Sequence, residues 1–113
     1  MFDISKDNII RITRGDSASF GITVMDGTTE YELQEGDVLR FTVRRNIYSQ
    51  TKSLQKILGY GDTMEFVIEP EDTSGLDFGN YVYDVELTLA DGTVNTIIPP
   101  STFKVMGEVT YGV

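Results

Sequence analysis

Two groups of carboxylates lie close enough along the chain for paired acid–base work: Glu69, Glu71 and Asp72, and the pair Asp84 and Glu86. On a strand, residues two apart share a face at about 7 Å. Asp84 and Glu86 would therefore have the spacing of a glycosidase acid and base. Against that, the chain has no histidine and no cysteine. The commonest general base and transition-metal ligand are thus missing, as is every Ser–His or Cys–His nucleophile. A chain of 113 residues leaves little room for a sugar cleft, and outward acids on a strand are ordinarily solvated. The expectation is a binding protein, not an enzyme.

The remaining constellations are weaker. Calcium requires a loop with spaced oxygen ligands, and neither residues 69–72 nor Asp91-Gly92 has EF-hand spacing. Acidic loops on a β domain leave calcium open, but no cofactor is expected. The eleven glycines sit singly at turns and build no phosphate loop. Arg14-Gly15-Asp16 matches an adhesive tripeptide, yet Gly-Asp is also ordinary turn chemistry. Arg40, Arg44, Arg45, Lys52 and Lys56 form a basic stretch, whereas acids dominate residues 62–91. This asymmetry could let one copy meet another, or the cations could simply guard a strand edge. Leu76, Gly79 and Tyr81 have the pattern of a tyrosine corner, in which the phenol bonds back to the preceding connection. Tyr83 would share the face of Tyr81.

The elements that must position these residues read as strands and turns throughout. Residues 8–12 open as a strand, and 17–25 alternate at Ala18, Phe20, Ile22 and Val24. Asp26-Gly27 and Asp91-Gly92 are two-residue hairpin signals. Tyr31 and Leu33 suggest a short strand, Glu35-Gly36-Asp37 a turn, and residues 38–45 a longer strand with Leu39 and Phe41 inward, Val43 as a third inward candidate, and Arg40, Thr42 and Arg44 outward. Residues 49–61 carry Leu54, Ile57 and Leu58 at helical spacing, but their flanks favour a loop followed by a strand. Met64, Phe66 and Ile68 alternate, residues 70–76 form a connection with room for one helical turn, and 80–89 make the strongest strand. Pro99-Pro100 must interrupt a ladder, which suits a strand crossing from one sheet to another before residues 103–109 resume. The pattern predicts one domain over residues 1–113: an all-β, immunoglobulin-like antiparallel β-sandwich of seven or eight strands with Greek-key features.

The net charge of −9 disfavours nucleic acid and anionic membranes as partners. No apolar run reaches the length of a membrane helix, and the N-terminus lacks a signal-peptide pattern. Synthesis in the cytoplasm is expected.

One resemblance covers nearly the whole chain. It runs through Arg14-Gly15-Asp16, Asp26-Gly27, Tyr31-Glu32-Leu33, Glu35-Gly36-Asp37 and Phe41-Thr42-Val43-Arg44. It continues with Ile68-Glu69-Pro70-Glu71-Asp72-Thr73, Leu76, Gly79-Asn80-Tyr81-Val82-Tyr83-Asp84-Val85, Asp91-Gly92-Thr93-Val94 and Thr96-Ile97-Ile98-Pro99. This order resembles the N-terminal domain of the upper baseplate proteins of siphophages infecting Gram-positive bacteria. It is also similar to small stand-alone phage and prophage proteins. The resemblance implies an immunoglobulin-like virion structural protein that docks with other tail or baseplate proteins and self-associates, as a trimer or hexamer, in the bacteriophage particle. It transfers no functional residues, and since the helical stalk of the longer relatives is not among these residues, either a stand-alone accessory protein or one domain of a longer chain is expected. Exposed edges at residues 8–12 and 103–109 would supply main-chain pairing. The alternative reading is a carbohydrate- or cell-wall-binding module that stacks sugars on Tyr48, Tyr60 and Tyr111.

Overall fold

A computed structural model describes residues 2–109. Strand accounts for 53% of the described residues and helix for 5%, so the class is all-β. In chain order the strands are β1 (Phe2–Ile4), β2 (Ile10–Thr13), β3 (Ala18–Gly21), β4 (Met25–Asp26), β5 (Thr29–Glu30), β6 (Val38–Arg44), β7 (Lys52–Gly59) and β8 (Glu65–Ile68). The single-turn helix α1 (Pro70–Ser74) precedes β9 (Gly79–Thr88) and β10 (Val94–Met106). Six strands form a curled sheet in the order β1-β2-β10-β9-β6-β7, while β3 pairs with β8 and β4 with β5.

Strict alternation puts the core on one face of the large sheet. In β6, Leu39, Phe41 and Val43 are buried and face Leu87, Val85 and Tyr83 of β9 in register. Because both strands alternate with a period of two, all six side chains fall on the same side. Phe20 of β3 and Phe66 of β8 pack against this face. Their ring centroids lie 5.2 and 5.5 Å from that of Phe41, whose neighbours within its own sheet are Tyr83 and Phe103. Tilted and edge-on packing of this kind is the favoured geometry of aromatic clusters. It fixes the small sheet against the large one.

Several expectations from the sequence need correction. The large sheet is mixed, not antiparallel, because β10 pairs with β2 in parallel. Ten strands are present among the described residues, two of them only two residues long. The strand expected over 17–25 leaves its ladder after Gly21; Ile22 and Val24 stay buried, and the Ile22 N–H donates to the Met64 carbonyl. The short strand expected at Tyr31 and Leu33 falls instead on Thr29–Glu30. At Asp91-Gly92 the hairpin closes with the Leu89 N–H on the Thr93 carbonyl. Three residues therefore form the loop, with Gly92 taking the left-handed conformation at φ +92°.

Pro99-Pro100 does not carry the chain to a second sheet. The ladder to β9 shifts register between Thr96 and Ile98 and again between Ile98 and Ser101, yet β10 stays beside β9 to its end. Bulges absorb the prolines on a side where no strand needs their missing N–H groups. The edges are also not where the sequence put them. Residues Ile10–Thr13 lie between β1 and β10, and Phe103–Met106 between β2 and β9.

Candidate interaction surfaces

The outer face of the large sheet brings together four of the charged residues singled out from sequence, Arg40, Arg44, Asp84 and Glu86. Arg40 lies opposite Glu86, Thr42 opposite Asp84 and Arg44 opposite Val82. Arg40 donates to the Thr88 hydroxyl at 3.1 Å, and Arg44 to the carbonyls of Ser49 and Gln50 at 3.2 and 2.7 Å. Asp84 and Glu86 share this face, as strand spacing requires. Burial pushes the Asp84 carboxyl above its ordinary value, the neighbouring Glu86 charge adds to that, and Arg44 opposes it. Beside Asp84 lies a concavity of about 210 Å³ whose walls include Thr42, Arg44, Ile47, Val82 and Pro100. It is open to solvent on a sheet face, which is not the enclosed geometry of a paired-acid cleft.

The rest of the basic stretch divides between internal contacts and the surface. Lys56 pairs with Asp72 at 2.8 Å, and the Asp72 carboxylate also accepts the Glu69 N–H at 2.7 Å. Asp72 therefore caps its own helix. The Arg45 guanidinium stacks over the Tyr81 ring at 4.6 Å. Lys52 is exposed at the start of β7. Among the described residues no three metal-ligating side chains converge, and no helix is long and apolar enough to cross a membrane.

Tyr81 is buried, and its hydroxyl donates to the Asp77 carbonyl at 3.0 Å, four residues back in the connection that contains Leu76. Gly79, between them, has φ +127°, a conformation L side chains rarely adopt. Tyr83 lies on the same face and donates to the Asn8 carbonyl, tying β9 to the β1–β2 turn. The Arg14 of Arg-Gly-Asp is bonded to Glu108 at 3.0 Å, donates to the Leu76 carbonyl and stacks on Phe78 at 4.2 Å. The Gly15 N–H donates to the Thr73 hydroxyl. This tripeptide is packed against the α1 connection, not presented on a free loop.

Tyr48 and Tyr60 are both exposed, but they flank opposite ends of the eight-residue strand β7, about 25 Å apart. Tyr60 borders a concavity of about 320 Å³ together with Glu30, Glu32 and Asp62. Tyr111 lies outside the described residues. The sequence reading missed Asp37, a buried acid that accepts from the Tyr31 hydroxyl and from the N–H groups of Gln34 (2.8 Å) and Ala90 (3.1 Å). The Tyr31 bond and the backbone donors hold its carboxyl below the usual range against the cost of desolvation. Its position after Glu35-Gly36 made it look like an ordinary turn acid.

Two open edges matter most. The outer side of β7 has no partner strand among the described residues, and it carries Lys52 and Lys56. The second is the first half of β10, which pairs only with β9 because β2 begins its pairing at Phe103. Beside that half-strand runs a groove of about 380 Å³ whose walls include Val24, Met25, Tyr31, Leu87, Leu89 and Ile97. Neither this edge nor the groove has a local sequence signal, since both depend on where β2 stops. In comparisons with known proteins, no family model, no curated protein and no solved structure matches this chain.

Proposed function

We propose that the chain is a structural subunit of a bacteriophage tail or baseplate, acting through contacts with other tail proteins and with copies of itself. In this reading the β3–β8 sheet is the second layer of an immunoglobulin-like sandwich. The observation that carries the proposal is the segment on which the resemblance rests most heavily. Pro-Glu-Asp-Thr forms α1, and Gly-Asn-Tyr-Val-Tyr-Asp opens β9. The bonds of Tyr81 to Asp77 and of Gly15 to Thr73 join both parts to the core. A rigid β scaffold with open strand edges supports a docking role. Protein identification in purified, salt-washed phage particles from a strain carrying this gene tests the proposal. The chain is expected in the particle in multiples of three or six copies, and its absence from intact particles refutes the reading.

The exposed Tyr60 ring, set beside Glu32 and Asp62, favours the carbohydrate reading as the second choice. With Tyr48 at the far end of β7, a single ring must do the stacking. A glycan array decides it: binding that is lost in Tyr60→Ala supports a sugar site, and no binding by the wild-type chain removes one.

A further inference from the structure

We propose that copies of this chain stack head to tail, with the outer face of the large sheet of one copy docked on the β8–α1 side of the next. Arg44, Lys52 and Lys104 on the first surface meet Glu65, Glu69 and Glu71 on the second. The inference deepens the reading of the chain as a self-associating structural protein and rests on it.

The basic surface is assembled by register. Arg44 of β6 lies opposite Lys52 of β7, just past a bulge, and opposite Val82 of β9 on its other side. Val82 lies opposite Thr102 of β10; Lys104, two residues on and on the same face, lies opposite Asn80 and Arg11. Three cations thus form a band across one end of the sheet, while Asp84 and Glu86 sit farther along β9. Arg11 is taken up by Asp3 at 3.5 Å, whereas Arg44, Lys52 and Lys104 make no ion pair among the described residues. Edge protection accounts for Lys52 alone, because β6 and the second half of β10 each have a strand on both sides. The face is uncovered among the described residues: Ile57 and Val94, which lie on it, are each 55% exposed.

The acidic surface is equally one-sided. β3, β4, β5, β8 and α1 contain no lysine or arginine. Phe66 and Ile68 turn into the core, so alternation turns Glu65, Val67 and Glu69 to the opposite face. Glu65, Glu69 and Glu71 are all exposed. Asp72 is taken up by Lys56, but these three carboxylates make no ion pair among the described residues. Val67, 44% exposed, and Ser19 opposite it give this side a small uncharged centre.

The two patterns match in sign and in spacing. Arg44 and Lys104 are separated by two strand spacings and a two-residue offset, about 12 Å. Glu65 and Glu69 lie four strand residues apart, about 13 Å. Copies of net charge −9 repel, and bringing these unlike surfaces together offsets that repulsion. The centres of stacked copies lie about 25 Å apart, the shortest extent of the domain, which is about three Debye lengths at physiological salt. Repulsion between whole copies is therefore largely screened, whereas facing charges in contact are not. The two surfaces differ, so the contact is heterologous and closes into a ring or continues as a filament, according to the rotation between copies.

Light scattering on the full chain, at concentrations up to about 1 mM, tests the proposal. Self-association is expected at about 0.15 M salt and should be lost at about 1 M, where the Debye length falls to about 3 Å; this arm needs no variant. Two charge-reversed variants are then compared with wild type, Lys52→Glu with Lys104→Glu and Glu65→Lys with Glu71→Lys. All four positions are exposed, and circular dichroism matching wild type shows that the variants are folded. Each alone should self-associate at least about tenfold more weakly, because like charges then face each other. The second variant is the stricter one: it is less acidic overall, so net charge alone would make it associate more. Mixed one to one, the two should regain wild-type association, since reversed surface meets reversed surface and native meets native. A wild-type monomer at every concentration, association that survives 1 M salt, a second variant that associates as strongly as wild type, or folded variants that do not recover on mixing would overturn the inference. So would association that requires a different tail protein. None of these results touches the particle-composition test above, so the two readings fail separately.

Discussion

Phe41 should be the side chain on which the packing of β3–β8 against the large sheet depends, and truncating it should cost at least about a quarter of the stability of the domain. The ring is fully buried. Its centroid lies 5.2 Å from Phe20, 5.5 Å from Phe66, 5.4 Å from Tyr83 and 6.1 Å from Phe103. The neighbours come from both sheets and belong to paired strands, so they cannot easily collapse into the space left by Phe41→Ala. Lost transfer energy plus an unfilled cavity puts the cost at about 4 kcal/mol, from a total of about 5–15 kcal/mol for a domain of this size. The midpoint of thermal unfolding should fall by roughly 15 °C. Urea denaturation followed by circular dichroism measures the change in free energy. Ile57→Ala, on the exposed outer face of β7, is the control and should stay within about 0.5 kcal/mol of wild type. A cycle of Phe41→Leu with Phe66→Leu isolates the contact between the two sheets, with an expected coupling of about 0.5–1.5 kcal/mol. Additivity within about 0.3 kcal/mol would mean that the rings do not touch, and the packing of β3–β8 against Phe41 would be wrong.

Three further outcomes follow from single sites. Asp37 has a folded-state pKa below its ordinary 3.8 because the Tyr31 hydroxyl and two backbone N–H groups bond its carboxylate. Its contribution is complete above pH 3.8 and is lost as pH falls through the lower folded value. The stability gap between wild type and Asp37→Asn, followed by urea midpoint, should thus be constant from pH 5 to 7 and narrow in acid; a gap that widens below that range contradicts this. Gly36 has φ +91°, and an added Cβ would meet the Ala90 Cβ at 2.8 Å. Gly36→Ala should therefore cost about 2 kcal/mol or more, with partial recovery in the double variant that also carries Ala90→Gly. Tyr81→Phe keeps the ring under Arg45 but leaves the Asp77 carbonyl without its donor, a loss of about 1 kcal/mol in the same urea assay.

The parts of the fold legible in the sequence are those that alternation controls. Leu39, Phe41 and Val43, then Tyr81, Tyr83, Val85 and Leu87, then Phe66 and Ile68 are buried on the faces that a period of two assigns them. The strand over residues 52–59 also prevails over the helical spacing of Leu54, Ile57 and Leu58, since pairing with β6 buries Leu54 and leaves Ile57 outside. What alternation cannot report is which strand lies beside which. The parallel β2–β10 pair joins residues about ninety positions apart, and no local feature encodes it. That pairing, together with β1 on the far side of β2, turned both expected edges into interior strands. At Pro99-Pro100 the local rule was sound, since the ladder does shift there. The inferred change of sheet failed because a missing N–H matters only on a side that has a partner. Of the site residues, the pairing of Asp84 with Glu86 on one face was legible. The internal ties of Arg14, Arg44, Arg45 and Lys56 were not, because each depends on a loop or helix brought close by the fold.

The edges differ in how they are guarded, and the difference carries the argument about assembly. An unpaired strand that accepts any partner leads to aggregation, so folded proteins shorten, charge or proline-block their edges. β1 is three residues long and places Asp3 and Arg11 within 3.5 Å of each other. β7 carries Lys52 and Lys56. The second half of the free stretch of β10 is blocked by Pro99 and Pro100, which can donate nothing to an added strand. Residues 94–98 have neither charge nor proline, and they border a groove that sets Asp26 and Tyr31 beside Val24, Leu87 and Leu89. An unguarded edge of five residues is too short to template an extended sheet. On this argument the two prolines do more than interrupt a ladder: they limit what can pair with β10 to a strand of about five residues.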